Sequence, residues 1–387
     1  MDNFVFHHPV KIIFGSDVID RLGQELSVLG NHVLFVYGQD SIKKTGLYTR
    51  VKKILENSGI SYTEFGGIQP NPLLSTVRQA VTVAREAGCD AVLAVGGGSV
   101  IDSGKAICAG ALVNHDIWKF FTGKKSVSSA LPLLSVPTMA GSGSEINHGM
   151  VLTHDDLKLK FGFAHRRLYP RVCIADPSLT HSVAYKQTGY GCVDAICHCL
   201  EPYISTQATG IDFQKRFMEN TARSIIEATR GCLDSAESHN HRASMLWSTM
   251  MAMSPIATAG IGRIYHSLHV LEHGLSAIHT IPHGAGLAAL LTGWLNYHLD
   301  QWGETISEWG QEVFGVVGDT IPQRAETTIR ELNRLLVSLG CPVSLADIGL
   351  TENDIGPVAA HAVEQLLVRR IPGLDQRTSL TILQNSL

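Results

Sequence analysis

Strand-like and helix-like segments alternate through the first 180 residues. Residues 32–38 form a compact β-branched and aromatic run closed by Gly38. Residues 41–59 then carry apolar positions at helical spacing, with basic residues on one face. The pattern repeats as a strand over 60–67 and a helix over 73–88. An unbroken apolar run over 90–99 enters a glycine-rich turn, a helix follows from Ile101, and a further buried strand covers 131–138. Apolar runs of strand length, alternating with segments of 3.6-residue period, predict a parallel sheet covered by helices on both faces.

The pattern changes near Asp176-Pro177-Ser178-Leu179. Beyond it no segment reads as a strand. Residues 185–203, 210–232, 240–260, 264–278, 284–297, 301–316, 322–339 and 354–368 all repeat at helical spacing. A chain of 387 residues is long for one core. The expectation is an α/β domain over 1–180 and an all-helical domain over 181–387.

Composition narrows the function classes. Hydrophobic residues make up 44% and charged ones 17%, a balance usual in soluble enzymes. The net charge of -4 comes without a basic stripe or a zinc-finger spacing, which argues against a nucleic-acid partner. The longest apolar stretch, 284–295, is too short to span a bilayer, so no membrane partner is expected. The N-terminus lacks the charged, apolar and small-residue zones of a signal peptide. Eight cysteines are scattered without framework spacing. These features predict a cytoplasmic protein with reduced thiols.

Two turns carry candidate phosphate chemistry. Gly96-Gly97-Gly98-Ser99 follows a buried strand and opens a helix. Backbone N–H groups at such a helix start, uncovered by side chains, attract a phosphate. Asp102 lies one turn further on, where it can accept from a ribose hydroxyl. The motif matches neither G-x-G-x-x-G nor a Walker loop. A second turn, Pro137-Thr138-Met139-Ala140-Gly141-Ser142-Gly143-Ser144-Glu145, also follows a buried strand. It lacks the spacing of a hydrolase nucleophile elbow. Turns at the C-terminal ends of parallel strands flank the crevice where open sheets bind ligands. Lys160 adds a positive charge to that crevice or is simply solvated; its sequence context does not separate the two.

The histidines carry the other chemistry. Five of the 18 fall between positions 266 and 283. His269 and His273 share a helix face, and His283 sits in a Pro-His-Gly helix start. Asp194 and His198 have the same four-residue spacing upstream. One carboxylate and three imidazoles make a divalent metal site. Spacing does not separate His269 from His273, and His266 and His279 remain in reach. Cys192, Cys197 and Cys199 lack zinc-ribbon spacing and read as core packing.

The chain resembles the iron-containing (group III) alcohol dehydrogenase family over nearly its whole length. The resemblance rests on GGGSVID at 96–102, PTMAGSGSE at 137–145, the GxxDAxxHCxE pattern at 191–201, and HxxxH…PHG from His269 to Gly284. The opening FVFHHPVKIIFG and EFGGIQPNP at 64–72 are most similar to the butanol dehydrogenase and broad-specificity aldehyde reductase branch. The resemblance implies a dehydroquinate synthase-like fold: a Rossmann-like dinucleotide-binding domain, then a helical domain, with the metal in the cleft between them. It implies Asp194, His198, His269 and His283 as ligands of Fe2+, and leaves His273 as a non-ligand that relays a proton. Zn2+ suits the same donors.

The implied cofactor is a nicotinamide dinucleotide. Gly97, Gly98, Ser99 and Asp102 match the family's phosphate and ribose contacts. Thr138, Ser142 and Lys160 match other lining positions, and Asn71 lies on the adenosine side. NAD-preferring members carry an aspartate where this chain has Gly38, with Ser41 and Lys43 close by. That favours NADP over NAD, and Asp40 opposes it. Met139 departs from the usual threonine and removes one hydroxyl. The implied activity is metal-dependent hydride transfer between NAD(P)(H) and a primary alcohol or aldehyde, in a homodimer or larger assembly. A polyol or glycerol dehydrogenase of the same superfamily is the alternative. A metallohydrolase, from a different class, leaves both glycine-rich turns unexplained.

Overall fold

The computed structural model describes residues 1–369 and 371–387. Among the described residues, eight strands form in chain order: β1 (Lys11–Phe14), β2 (His32–Tyr37), β3 (Ser61–Phe65), β4 (Ala91–Gly96), β5 (Leu133–Pro137), β6 (Gly149–His154), β7 (Leu159–Ala164) and β8 (Val172–Ala175). Six of them make one sheet in the order β1-β8-β5-β4-β2-β3, with every pairing parallel. β6 and β7 form a separate antiparallel hairpin.

Side chains alternate across the sheet, and each face builds its own core. Leu34, Val36, Val92 and Ala94 pack on one side with the helices Leu74–Glu86 and Gly98–Gly110. Val33, Phe35, Leu93 and Val95 pack on the other with the helix Leu47–Asn57. Central β4 is buried at all six positions, which is why it reads as an unbroken apolar run. Removing the Phe35 ring would cost about 3–5 kcal/mol.

Four strands lie outside the expected set. β1 and β8 have four residues each, too short to show a period. The β6–β7 hairpin turns through Asp155–Lys158, with Lys158 in the left-handed region (φ 54°). The helix expected over 41–59 is two pieces, Ser41–Lys44 and Leu47–Asn57, because Gly46 breaks it at φ 78°. The helix expected over 240–260 runs His239–Ala252. It stops short because Pro255 disfavours the helical backbone at Ser254.

Two compact units divide the chain, and a single cut at residue 180 does not describe them. One unit holds 8–183 and 235–250; the other holds 1–7, 184–234 and 251–387. The N-terminal residues join the helical unit because Asp2 N donates to Gly260 O at 2.9 Å. Residues 235–250, which include most of the helix His239–Ala252, belong to the α/β unit, where the Trp247 ring lies 5.4 Å from that of Phe14 and His239 Nε2 3.0 Å from Ser16 Oγ.

The remainder of the second unit is helical, and no strand occurs among the described residues beyond Ala175. Its site-bearing helices are Tyr185–Ser205, Ser267–His279, His283–Tyr297 and Glu352–Arg369. All eight cysteines are buried and none forms a disulfide. No described helix is long and apolar enough to cross a membrane.

Candidate metal and cofactor sites

The helix Tyr185–Ser205 is buried over most of its length and places Asp194 one turn before His198. The Nε2 of His198 lies 3.4 Å from Asp194 Oδ1. His269 stands in the first turn of its helix with Nε2 3.6 Å from the same oxygen. His283 opens the next helix with Nε2 3.5 Å away. Gly284 makes that approach possible: a Cβ there would meet Tyr190 O at 2.3 Å.

Three imidazole nitrogens therefore surround one carboxylate oxygen. Asp194 Oδ1 and His269 Nε2 are buried and lack a hydrogen-bond partner. Donors about 2.1 Å from a tetrahedral cation stand about 3.4 Å apart, which each of the three distances to Asp194 Oδ1 matches. Asp194, His198 and His269 present their donor atoms within 4.8 Å of one another. Burial would raise the Asp194 pKa, but His198 and His283 overcome it and hold the carboxyl well below its ordinary range. Burial also lowers the His198 pKa to about 3, which keeps that imidazole neutral and able to ligate.

Two further carboxylates orient the donors, and the sequence reading gave neither a role. His269 Nδ1 bonds Glu201 Oε2, and Glu201 Oε1 accepts from Leu268 N at 2.7 Å. His283 Nδ1 bonds Glu272 Oε2, and Ser276 Oγ donates to Glu272 Oε1. A carboxylate on Nδ1 holds the proton there and leaves Nε2 as the nitrogen that a cation would take. Burial lowers the His269 pKa, but Glu201 and Asp194 overcome it and raise it to about 10, so metal binding there would release a proton. The signal was helical spacing: Glu201 follows Asp194 by seven residues, and Glu272 follows His269 by three.

The other histidines separate. His266 Nδ1 lies 3.5 Å from Glu201 Oε2, behind His269. His279 ends its helix. His273 is buried, with its ring centre 6.0 Å from that of His283. Its Nδ1 pairs with Gln365 Oε1 at 3.0 Å, while Gln365 Nε2 donates to Val270 O at 2.9 Å. A carbonyl only accepts, so Val270 fixes which way the amide points. Gln365 Oε1 must then accept from His273 Nδ1.

Gly97, Gly98, Ser99, Thr138 and Ser142 gather in the α/β unit just beyond the C-terminal ends of the adjacent strands β4 and β5. Gly96 ends β4 beside Pro137 at the end of β5, and Thr138 N donates to Gly96 O at 3.1 Å. Gly97 precedes the helix Gly98–Gly110, whose first turn includes Ser99. A Cβ on Gly98 would stand 2.4 Å from Ser142 Oγ, so the two turns touch at a place that excludes any side chain. Bare N–H groups at the start of a full-length helix fit a pyrophosphate. Both Asp102 oxygens are engaged, by Ser144 Oγ and by Val151 N.

Gly38 follows β2, which pairs with β4, and Asp40 and Ser41 begin the short helix after it. Lys43 lies over the rings of Tyr37 and Tyr48 at 5.5 and 5.6 Å. Lys160 is buried in β7 and donates to Asn71 Oδ1 at 2.9 Å, which excludes the solvated alternative. Asn71 is itself left-handed, at φ 53°.

Two family models cover the chain: iron-containing alcohol dehydrogenase over residues 9–177, and the C-terminal domain of the same family over 188–386. The chain is 35% identical to a probable NADH-dependent butanol dehydrogenase of Bacillus subtilis, over the full length of both. It is 33% identical to the NADPH-dependent aldehyde reductase YqhD of Escherichia coli, over 92% of this chain and 91% of that one. Among solved structures, the NADH-dependent butanol dehydrogenase A of Thermotoga maritima matches with a TM-score of 0.96 and 36% identity, over 100% of this chain and 99% of that one. The chain belongs to the iron-containing alcohol dehydrogenase family.

Proposed function

We propose that this protein is a metal-dependent alcohol dehydrogenase and aldehyde reductase, moving hydride between NAD(P)(H) and a primary alcohol or aldehyde. The observation that carries the reading is the ring of three imidazole nitrogens around Asp194 Oδ1, in a chain that also has two touching glycine-rich turns. Relatives named as butanol dehydrogenases and an aldehyde reductase support it.

Asp194, His198, His269 and His283 would hold the cation. When bound, it polarises the substrate oxygen, while the nicotinamide carries the hydride. Glu201 and Glu272 keep His269 and His283 in the ligating tautomer. Oxidation of an alcohol releases one proton along with the hydride. His273 is the side chain placed to take it up, with Gln365 holding the ring. Gly97, Gly98 and Ser99 bind the pyrophosphate, Asp102 a ribose hydroxyl, and Thr138, Ser142, Lys160 and Asn71 line the remainder.

Iron(II) is the metal of choice by family, with zinc as the alternative. Gly38 and Ser41 leave room for a 2′-phosphate, so NADP is preferred over NAD, against the opposing charge of Asp40. The same reading includes a homodimer or larger homo-oligomer in the cytoplasm. The test is absorbance at 340 nm with NADPH or NADH and a panel of short aldehydes, beside elemental analysis. His269→Ala should lose metal and turnover together. A wild-type protein that oxidises neither cofactor with any aldehyde refutes the reading.

A further inference from the structure

Lys105 is fully buried, one turn beyond Asp102 on the helix Gly98–Gly110. The reaction described above makes no use of it, and lysines are almost never fully buried unless paired. Its ammonium donates to Ser144 Oγ at 2.8 Å, Asn147 Oδ1 at 2.9 Å and Gly149 O at 2.6 Å. Those three bonds use all three of its protons. All three acceptors lie in the stretch that leaves the second glycine-rich turn and enters β6.

Donor chemistry fixes the direction of the next bond. Lys105 can only donate, so Ser144 Oγ accepts from it and gives its own single proton to Asp102 Oδ1. Val151 N holds the other Asp102 oxygen at 2.9 Å. The ammonium itself stands 3.9 Å from Asp102 Oδ1 and is its counter-charge. Burial pushes the Asp102 pKa up, and Lys105 and Ser144 offset only part of that rise. The carboxylate is thus held from a segment some 40 residues away in the chain.

We infer that Lys105 is a positioning residue for the dinucleotide: it clamps residues 144–149 onto the helix Gly98–Gly110 and keeps Asp102 ionised and aimed at a ribose hydroxyl. The inference rests on the cofactor reading above. Without the ammonium, Asp102 is a partly buried carboxyl that has lost its main counter-charge and keeps only the weaker pull of Lys160. It takes up a proton and loses acceptor capacity, and the Ser144 hydroxyl is free to turn away.

The test is a double-mutant cycle on the metal-loaded enzyme, with Lys105→Met and Asp102→Asn, read as the Kd of NADPH and NADH by fluorescence titration. Lys105→Met should weaken the dinucleotide about 10- to 100-fold, the range of a lost charge-assisted hydrogen bond. The aldehyde KM and metal content should stay at wild-type values. Added to Asp102→Asn, it should cost less than about twofold more, because no carboxylate is left to hold. A lysine that merely supports the fold gives losses that add in both backgrounds. Additive losses, or a wild-type Kd in Lys105→Met, overturn the inference.

If Lys105→Met does not fold, Ser144→Ala breaks the same relay with the ammonium in place. It should weaken binding several-fold, and an unchanged Kd overturns the inference. Gly98→Val separates the two levels. If it leaves dinucleotide binding intact, the cofactor reading falls. If it abolishes binding while Lys105→Met does not, the role of Lys105 alone falls.

Discussion

Replacing Glu145 with glutamine should make the protein's stability less sensitive to alkaline pH. Glu145 is 2% exposed, and its Oε1 has no hydrogen-bond partner. Burial pushes its pKa from 4.5 up to about 7, and nearby Lys105 offsets only part of that. An acid whose folded-state pKa lies above its unfolded value costs nothing below the unfolded pKa. Stability is then lost as pH rises through the folded value. The displacement corresponds to about 3 kcal/mol once the carboxylate is charged in both states.

At pH 5 the wild-type carboxyl is already neutral when folded, so Lys105 faces an uncharged neighbour in both proteins. Unfolding in urea, followed by far-UV circular dichroism at pH 5 and pH 8, reads the effect. Glu145→Gln should gain about 2–3 kcal/mol on wild type between the two pH values. An equal difference at both values, or a relative loss at pH 8, would show that the buried carboxyl does not titrate as its surroundings dictate.

Three other outcomes follow from the helical unit. Glu272→Gln removes the carboxylate from His283 Nδ1 and should weaken metal binding about 10- to 100-fold, measured by competition with a chromophoric chelator. Gln365→Leu leaves His273 Nδ1 without its acceptor; kcat should fall about tenfold while metal content holds, and an unchanged kcat removes Gln365 from the proton path. Gly284→Ala puts a methyl 2.3 Å from Tyr190 O, and the helix start must shift. Metal should be lost in dialysis, with about 1–3 kcal/mol of stability.

Local periodicity made much of this molecule readable. Asp194 with His198, and His269 with Glu272, lie within single helical turns, so spacing alone puts each pair on one face. The same rule would have found Glu201, but acidic residues at helical spacing are too common to stand out. Gln365 carried no signal, since it meets His273 from a helix 92 residues further along. β1 and β8 were hidden for a different reason: four residues show no period, and parallel pairing places them. Burial is what separates lysines. Lys160 sits in a turn-flanked polar stretch and Lys105 in an apolar helix, and only the fold shows that both are enclosed.

In the proposed metal site, the contact between Gly284 and Tyr190 would make one coordination distance an interhelical gap. Asp194 and His283 approach each other only as closely as their two helices do. An imidazole at a helix start has no slack to follow a retreating partner, so a separation of a few tenths of an ångström falls directly on the metal. Heat that loosens this helix pair should therefore release the ion while the helices are still intact. Inactivation would precede unfolding, and added metal on cooling would restore the activity.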